Sequence, residues 1–412
     1  MLGGEVLANG PLEIVTGSWP TNVGIRLRAD ILGLLFAVVS AGILLVTLSY
    51  AVSQNITSRT FPALVLLLST GLTGIFLTGD VFNFYVFFEV SMVAAFGLTG
   101  YGEDPREIRA AMIFTIVNLL GSVFLLIAVA ALYRVAGTLD MNGIAVANVE
   151  PRSLVVIATL LFVAFSLKLG LFPFHYWVPA VYRSARPVVT AILGGALANI
   201  GSYGLLRFGG TVLPAALDML QPALIILGTA SILYGGLLAI SCRLTNEVLA
   251  YSSIGQVGYI LIALAVAGPL GYEAAVFYAL ANALNKVMLF LAVGLQGKFV
   301  GAAFAIGAFS VAGVPPSVGF LGKLELFRVG LAADSRFLVA LILAGGILSF
   351  IYMFQKYQHN FWVHPSHKTP SPFTPRLLVF GLAALIVLAG FWPEPLLVLS
   401  RQAAAIMGGP PL

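Results

Sequence analysis

Apolar runs of roughly twenty residues, separated by short polar stretches, recur along the whole chain. A helix that crosses a bilayer needs ~20 mainly apolar residues. By that rule the sequence predicts spans near residues 29–50, 61–79, 82–99, 109–133, 153–169, 188–207, 222–241, 249–268, 272–295, 302–331, 335–355 and 376–392. The fold class expected is an all-α membrane protein with about twelve crossings. The runs lack period-two alternation, which excludes a closed β-barrel. The longest polar connections, 136–152 and 356–375, leave no room for a soluble domain.

Two of the runs are interrupted. In Leu-Gly-Leu-Phe-Pro-Phe-His-Tyr-Trp-Val-Pro at 169–179, Pro173 and Pro179 lack backbone donors and Gly170 loosens the turn. In Ala-Gly-Val-Pro-Pro-Ser-Val-Gly-Phe at 312–320, two prolines and two glycines do the same. Broken backbone at membrane depth persists only where it is buried in protein or lines a hydrated cavity. Each break has a lysine beside it, Lys168 before the first and Lys323 after the second, 155 residues apart.

Paired broken helices point to two inverted repeats around a central site. The division expected is an N-terminal segment with the first span (1–60), a first repeat (61–207, broken near 170–179), a second repeat (221–357, broken near 312–320) and a loop with a C-terminal helix (358–412). Glycine and proline are also common in membrane helices, and on that alternative the two breaks are unrelated.

Composition sharpens the class. Hydrophobic residues make up 60% of the 412 and charged ones 9%, with a mean hydropathy of +1.02, well outside soluble globular proteins. The few charges inside the runs therefore carry the argument. A cation at bilayer depth costs several kcal/mol, so such residues usually face a wet cavity and mark an ion or proton path.

Lys168 ends the run 153–167, and Lys286 interrupts 274–295 beside Asn285 and one turn from Asn282. Lys323 is followed by Glu325 and Arg328, which can meet at i, i+3 while Lys323 cannot reach Glu325. Glu89 supplies the opposite sign within an aromatic stretch. A glutamate that approaches and leaves a desolvated lysine makes it load and release a proton. Each residue has a plainer alternative: a fixed Glu89–Lys168 pair, snorkelling of Lys168 to a helix end, or a polar patch joining helices at Lys286. His175, after the first break, is a candidate relay or a packed interfacial residue, and Asp80 is expected near the membrane surface.

Other features narrow the picture less. The net charge of +5 is small for this length and gives no sign of nucleic-acid binding. Cys242 is the single cysteine, so there is no internal disulfide. Residues 1–28 lack the apolar core of a secretory signal, and the first span is expected to act as an uncleaved insertion signal. His359, His364 and His367 match no metal-ligand spacing and are expected in a solvated loop. No metal, no cofactor and no catalytic chemistry of its own are expected.

Ten lysines and arginines outside the spans fall on one side (Arg59, Arg106, Arg109, Arg183, Arg186, Arg243, Lys298, Lys356, Lys368, Arg376). Eight fall on the other (Arg26, Arg28, Arg134, Arg152, Arg207, Arg328, Arg336, Arg401). The positive-inside rule leans toward the ten being cytoplasmic, with both termini outside.

Four ordered motifs carry a family resemblance. They are Phe-Asn-Phe-Tyr-Val-Phe-Phe-Glu-Val-Ser at 82–91, Phe-Ser-Leu-Lys-Leu-Gly-Leu-Phe-Pro-Phe-His-Tyr-Trp-Val-Pro-Ala at 165–180, Ala-Tyr-Ser-Ser-Ile-Gly-Gln-Val-Gly-Tyr at 250–259 and Gly-Val-Pro-Pro-Ser-Val-Gly-Phe-Leu-Gly-Lys at 313–323. From about residue 10 to 393 the chain resembles the antiporter-like family. That family comprises the large subunits of Mrp-type cation/proton antiporters and the proton-pumping membrane subunits of complex I and related hydrogenases. The Phe-Phe-Glu stretch, with Tyr-Arg-Val-Ala-Gly-Thr-Leu-Asp at 133–140, resembles the Mrp D-type component in particular.

The resemblance implies fourteen helices, a hydrated polar axis at the membrane midplane and membership of a multisubunit complex in a prokaryotic inner membrane. It also implies that Glu89 and Lys168 form the key pair, with Lys286 the central lysine and Lys323 that of the second broken helix. The chain departs from the pattern in four places. Its spans begin at what resembles the family's third helix, and Asn199 stands where lysine or histidine is usual. Asn282 stands where histidine is common, and the connection 296–301 is short and lacks a Met-Pro stretch. An asparagine can bind a water that passes a proton but cannot store one.

Three functions follow as expectations. The first is the proton-translocating subunit of a Mrp-type monovalent cation/proton antiporter, moving protons and Na+ or K+. The second is the pumping subunit of a redox-driven complex, whose redox chemistry would lie in partner subunits. The third is a scaffold that keeps the fold without conducting.

Overall fold

The computed structural model describes residues 2–19, 24–56, 58–102, 104–363 and 372–407. Its helices, in chain order, are α1 Leu2–Asn9, α2 Ile31–Ser53, α3 Thr60–Phe76, α4 Val81–Thr99, α5 Pro105–Ala136, α6 Met141–Val146, α7 Pro151–Leu169, α8 Trp177–Ser184, α9 Pro187–Ala191, α10 Asn199–Arg207, α11 Pro214–Ser241, α12 Thr245–Val266, α13 Gly268–Val293, α14 Lys298–Ala312, α15 Val318–Ala332, α16 Arg336–Tyr357, α17 Phe373–Phe391 and α18 Glu394–Ala405.

Among the described residues, ten helical spans are long and apolar enough to cross a bilayer, and α3 and α14 are shorter apolar helices. Together these match the twelve runs one for one. The chain is an integral membrane protein of the all-α class. The short helix α18 follows them and leaves no trace in the pattern of runs, because twelve residues are too few to span. His364, His367 and Lys368 lie outside the described residues, whereas His359 extends α16 in a wide π-type turn.

Local chemistry sets the helix starts. Asp30, Asp80, Asp104 and Asp140 each accept from a backbone N–H in the first turn of α2, α4, α5 and α6, and Ser317 and Ser335 do so for α15 and α16. Each such cap is worth about 1 kcal/mol. The span Pro187–Val212 joins α9 and α10 through a π-type turn at Ile192–Leu197, which holds the pair Gly194–Gly195.

Burial separates an inner set of helices from an outer one. Pro187–Val212, α12 and α13 are buried over 94%, 94% and 89% of their apolar windows, against 28% for α17. Helices apolar all round belong inside a bundle. The inner helices approach closely through small residues, since lipid tails offer no hydrophobic drive for association. Gly228 and Gly235 on α11 face Gly258 and Gly255 on α12, and a β-carbon at Gly235 would stand 2.6 Å from the Tyr251 carbonyl oxygen. Gly258→Leu is expected to pry α11 from α12 at a cost of about 1–3 kcal/mol. Thermal unfolding of the purified protein in detergent reads this, and an unchanged midpoint would refute the close contact.

A short antiparallel hairpin, β1 Leu12–Val15 with β2 Arg26–Ala29, clamps one end of the bundle. The apolar runs gave no sign of it. Arg28 N donates to Leu77 O at 2.8 Å and Gly79 N to Arg26 O at 2.9 Å, tying the hairpin to the α3–α4 connection. Charges continue the clamp inward. Arg26 pairs with Glu13 (3.0 Å) and Asp140 (3.1 Å), Arg28 with Asp30 (3.2 Å), and Asp30 with Arg207 (2.7 Å). Arg207 was expected outside the spans. The structure corrects this: the span runs on to Val212, and Arg207 is buried among Asp30 and Tyr203.

Candidate functional site

Both interrupted helices stop in the same way. Gly170 (φ +67°) ends α7 and Gly313 (φ +85°) ends α14 in left-handed backbone that a side chain rarely adopts. In each, the residue after the glycine donates five residues back, Leu171 N to Ser166 O at 3.0 Å and Val314 N to Phe309 O at 2.9 Å. Chain direction then changes, and a second helix begins, α8 in the first case and α15 in the second.

Side chains also donate to carbonyls at each stop. The Trp177 indole donates to Leu167 O at 2.8 Å. At the second stop the Lys323 ammonium itself donates to Ala312 O at 2.9 Å, placing its charge on the negative end of α14. Gly313 leaves the room for this reach, because a β-carbon there would meet Lys323 Cδ at 2.6 Å. Lys323 also stands 5.3 Å from the Tyr259 ring centre.

Lys168, in the last turn of α7, is 3% exposed. Its Nζ donates to Asn118 Oδ1 at 3.2 Å, touches Met92 Sδ at 2.9 Å and lies 5.2 Å and 5.9 Å from the rings of Phe114 and Phe88. Glu89 accepts from the Ser122 hydroxyl. Asn118 and Ser122 are one turn apart on α5, as Glu89 and Met92 are on α4. Helix α5 thus presents two polar groups that stand between the carboxylate and the ammonium. Among the described residues no carboxylate lies within 4.0 Å of Lys168, Lys286 or Lys323. Sequence reasoning does not single out Asn118 and Ser122. The available signal was an i, i+4 polar pair in the middle of a mainly apolar run.

Lys286, Asn282 and Asn285 are all buried on α13, and Asn285 Oδ1 has no hydrogen-bond partner among the described residues. Asn199 donates to Ser40 Oγ on α2 at 3.0 Å. Glu325 accepts twice from Arg328 at 2.9 Å, which leaves Lys323 apart from it. His175 is half-buried and packed against Phe172 and Tyr234, with Nδ1 unpaired among the described residues. No group of three potential metal ligands occurs among the described residues.

Two interrupted helices and three ammonium groups buried away from carboxylates, in a bundle of apolar spans, describe a membrane protein built around internal charge. The chain belongs to the NADH:quinone oxidoreductase/Mrp antiporter, TM family, whose model matches residues 78–298. It is 29% identical to the D-type component of the Na(+)/H(+) antiporter of Alkalihalophilus pseudofirmus, over 97% of this chain and 87% of that protein. It is 35% identical to the N-type component of the NADH-quinone oxidoreductase of Desulforudis audaxviator, over 85% of this chain and 76% of that one. Among solved structures, it superposes on a chain of the Mrp complex from Dietzia sp. DQ12-45-1b with a TM-score of 0.90 and 26% identity, covering 98% of this chain and 90% of that one. A chain of the membrane-bound sulfane sulfur reductase, an archaeal respiratory membrane complex, gives 0.89 and 27%, covering 98% and 88%. The chain is therefore an antiporter-type membrane subunit.

Proposed function

We propose that this chain is the proton-translocating subunit of a multisubunit Mrp-type monovalent cation/proton antiporter in a prokaryotic inner membrane. The observation that carries the reading is the arrangement Glu89–Ser122/Asn118–Lys168, an acid and an amine held apart by two hydrogen-bonding side chains. A buried ammonium beside a carboxylate keeps its proton, and one left alone among apolar groups gives it up. Movement of Glu89 off Ser122 toward Lys168 would load the amine, and its return would release the proton inward. Lys286 and then Lys323 would receive it through water. The two interrupted helices would be the pivots of two inverted repeats. The similarity to the D-type antiporter component over nearly the whole chain supports this assignment.

Among the described residues, Asn118 makes the one direct side-chain hydrogen bond to the Lys168 ammonium besides the methionine contact. Hydrogen bonds to charged groups are worth about 1.5–3 kcal/mol, so Asn118→Leu is expected to slow proton movement by about 10- to 100-fold. Dye-reported acidification of vesicles carrying the complex measures it, and a rate equal to the parent's would remove Asn118 from the path.

A second reading, a pumping subunit of a redox-driven complex, is favoured by the similarity to the N-type component of the NADH-quinone oxidoreductase. Co-purification separates the two: iron–sulfur subunits favour the redox complex, and small hydrophobic partners alone favour the antiporter. The Asn199–Ser40 bond, at a position without a titratable group, is what supports a non-conducting scaffold. Ion flux insensitive to Glu89→Gln would bear that out.

A further inference from the structure

One buried polar cluster touches the relay just described at Lys286 and Lys323, but its other members have no part in it. On α13, Tyr278, Asn282 and Lys286 recur every fourth residue and share a face. Opposite them α12 offers Ser252 and Gln256, and α16 offers Ser349 and Tyr352, all buried. The Tyr278 hydroxyl donates to Gln256 Oε1. Gln256 Nε2 reaches the Tyr352 hydroxyl at 3.4 Å and Ser349 Oγ at 3.5 Å, and the Tyr352 and Ser252 hydroxyls are 2.9 Å apart.

The thread has a cation at each end. Tyr278 packs on Tyr259 with ring centres 5.3 Å apart, and Tyr259 lies under Lys323. At the other end Lys356, one turn beyond Tyr352 on α16, donates to Arg243 O at 2.7 Å in the α11–α12 connection. Among the described residues the hydrogen-bonded stretch runs from Tyr278 through Gln256 to Tyr352 and Ser252, with Lys323 reached through ring contacts at one end and Lys356 one helical turn beyond the other.

Within that hydrogen-bonded stretch the linking groups are hydroxyls except at Gln256. A hydroxyl both gives and takes a proton, so a row of them can pass one along. The Gln256 carbonyl only accepts and its amide nitrogen only donates. A proton delivered to Oε1 could move on to Tyr352 only if Nε2 gave up a hydrogen, leaving the amide as its imidic acid tautomer. The side chain therefore keeps its neighbours hydrogen-bonded while interrupting the hop.

We propose that Gln256 is a proton stop. It insulates the Lys286–Lys323 region from the face bearing Arg243 and Lys356, so that protons reaching Lys323 leave elsewhere. Gln256 acts here as a positioning residue that sets the route. This rests on the transport reading above.

The test is passive decay of an imposed pH step in vesicles holding the whole complex, with the membrane potential clamped and no transported cation. Gln256→Glu puts a group that binds and releases protons in the same place, and the step is expected to decay about 10-fold faster than in the parent. Gln256→Leu carries no proton and is expected to hold the step as the parent does. An assembled Gln256→Glu complex that decays at the parent rate overturns the stop, as does a Gln256→Leu complex that loses cation-driven proton movement. Gln256→His gives the same two outcomes if the carboxylate prevents assembly. Absence of cation-driven movement in the parent would sink the transport reading instead, leaving the decay comparison to judge the stop alone.

Discussion

Lys168→Ala is expected to abolish cation-linked proton movement, by at least about 100-fold, while the complex still assembles. A positioned proton donor or acceptor contributes roughly 10²- to 10⁴-fold where it acts, and Lys168 is the amine nearest to the Glu89–Ser122 pair in the proposed relay. Its contacts are one amide oxygen, one sulfur and two phenyl rings on α4 and α5, and none is an ion pair whose loss would strand a buried charge. Loss of the ammonium should therefore spare assembly. Lys168→Arg separates charge from proton exchange: guanidinium keeps the charge but does not release its proton, so it should fail as alanine does. Dye-reported pH changes in vesicles, with size-exclusion profiles to confirm assembly, decide the matter. Normal transport in Lys168→Ala would end the proposed role.

The largest effect on stability is expected from Arg207→Leu, a loss of about 3–5 kcal/mol. The reason is the charge left behind. Asp30 is fully buried, and Arg207 is its shortest ion-pair partner at 2.7 Å. Burial alone would raise the Asp30 carboxyl, but Arg207, the Gly33 N–H and Arg28 together hold it below its ordinary value of 3.8. A carboxylate depressed in the folded state stabilises fully above its unfolded value and loses that contribution as pH falls through the folded one. The gap in melting temperature between parent and Arg207→Leu should then be widest at high pH and narrow as pH falls, first as the buried Asp30 that has lost Arg207 takes up a proton in the variant and finally as the parent's does. Asp30→Asn combined with Arg207→Leu should be less damaging than the two single changes added together. Additive losses would mean that the two side chains do not act as a pair.

Much of this was written in the order of residues. Lengths of apolar sequence located all twelve runs, because a bilayer imposes one length on every crossing. The two stops were legible as well, since glycine and proline act through the backbone of their own residues. What escaped was pairing between helices. Nothing near Glu89 or Lys168 in sequence indicates that α5 brings Asn118 and Ser122 between them. The hairpin left a faint mark, the alternation Arg26-Leu27-Arg28-Ala29, but four residues are too few to distinguish a strand from a loop. Arg207 was misplaced because the π-type turns lengthen its span, and hydropathy does not register a wider turn. Gln256 sat in a recognised motif, yet its role depends on Tyr278 and Tyr352, which are 22 and 96 residues away.

The pairing of Asp30 with Arg207 joins positions 177 apart. A ribosome therefore makes the acid long before its base, and six spans are synthesised between the two events, counting the one that carries Arg207. Until then the newborn N-terminal hairpin has no buried guanidinium to fasten to. Fastening it marks the moment at which the leading half of the polypeptide has been delivered into the lipid.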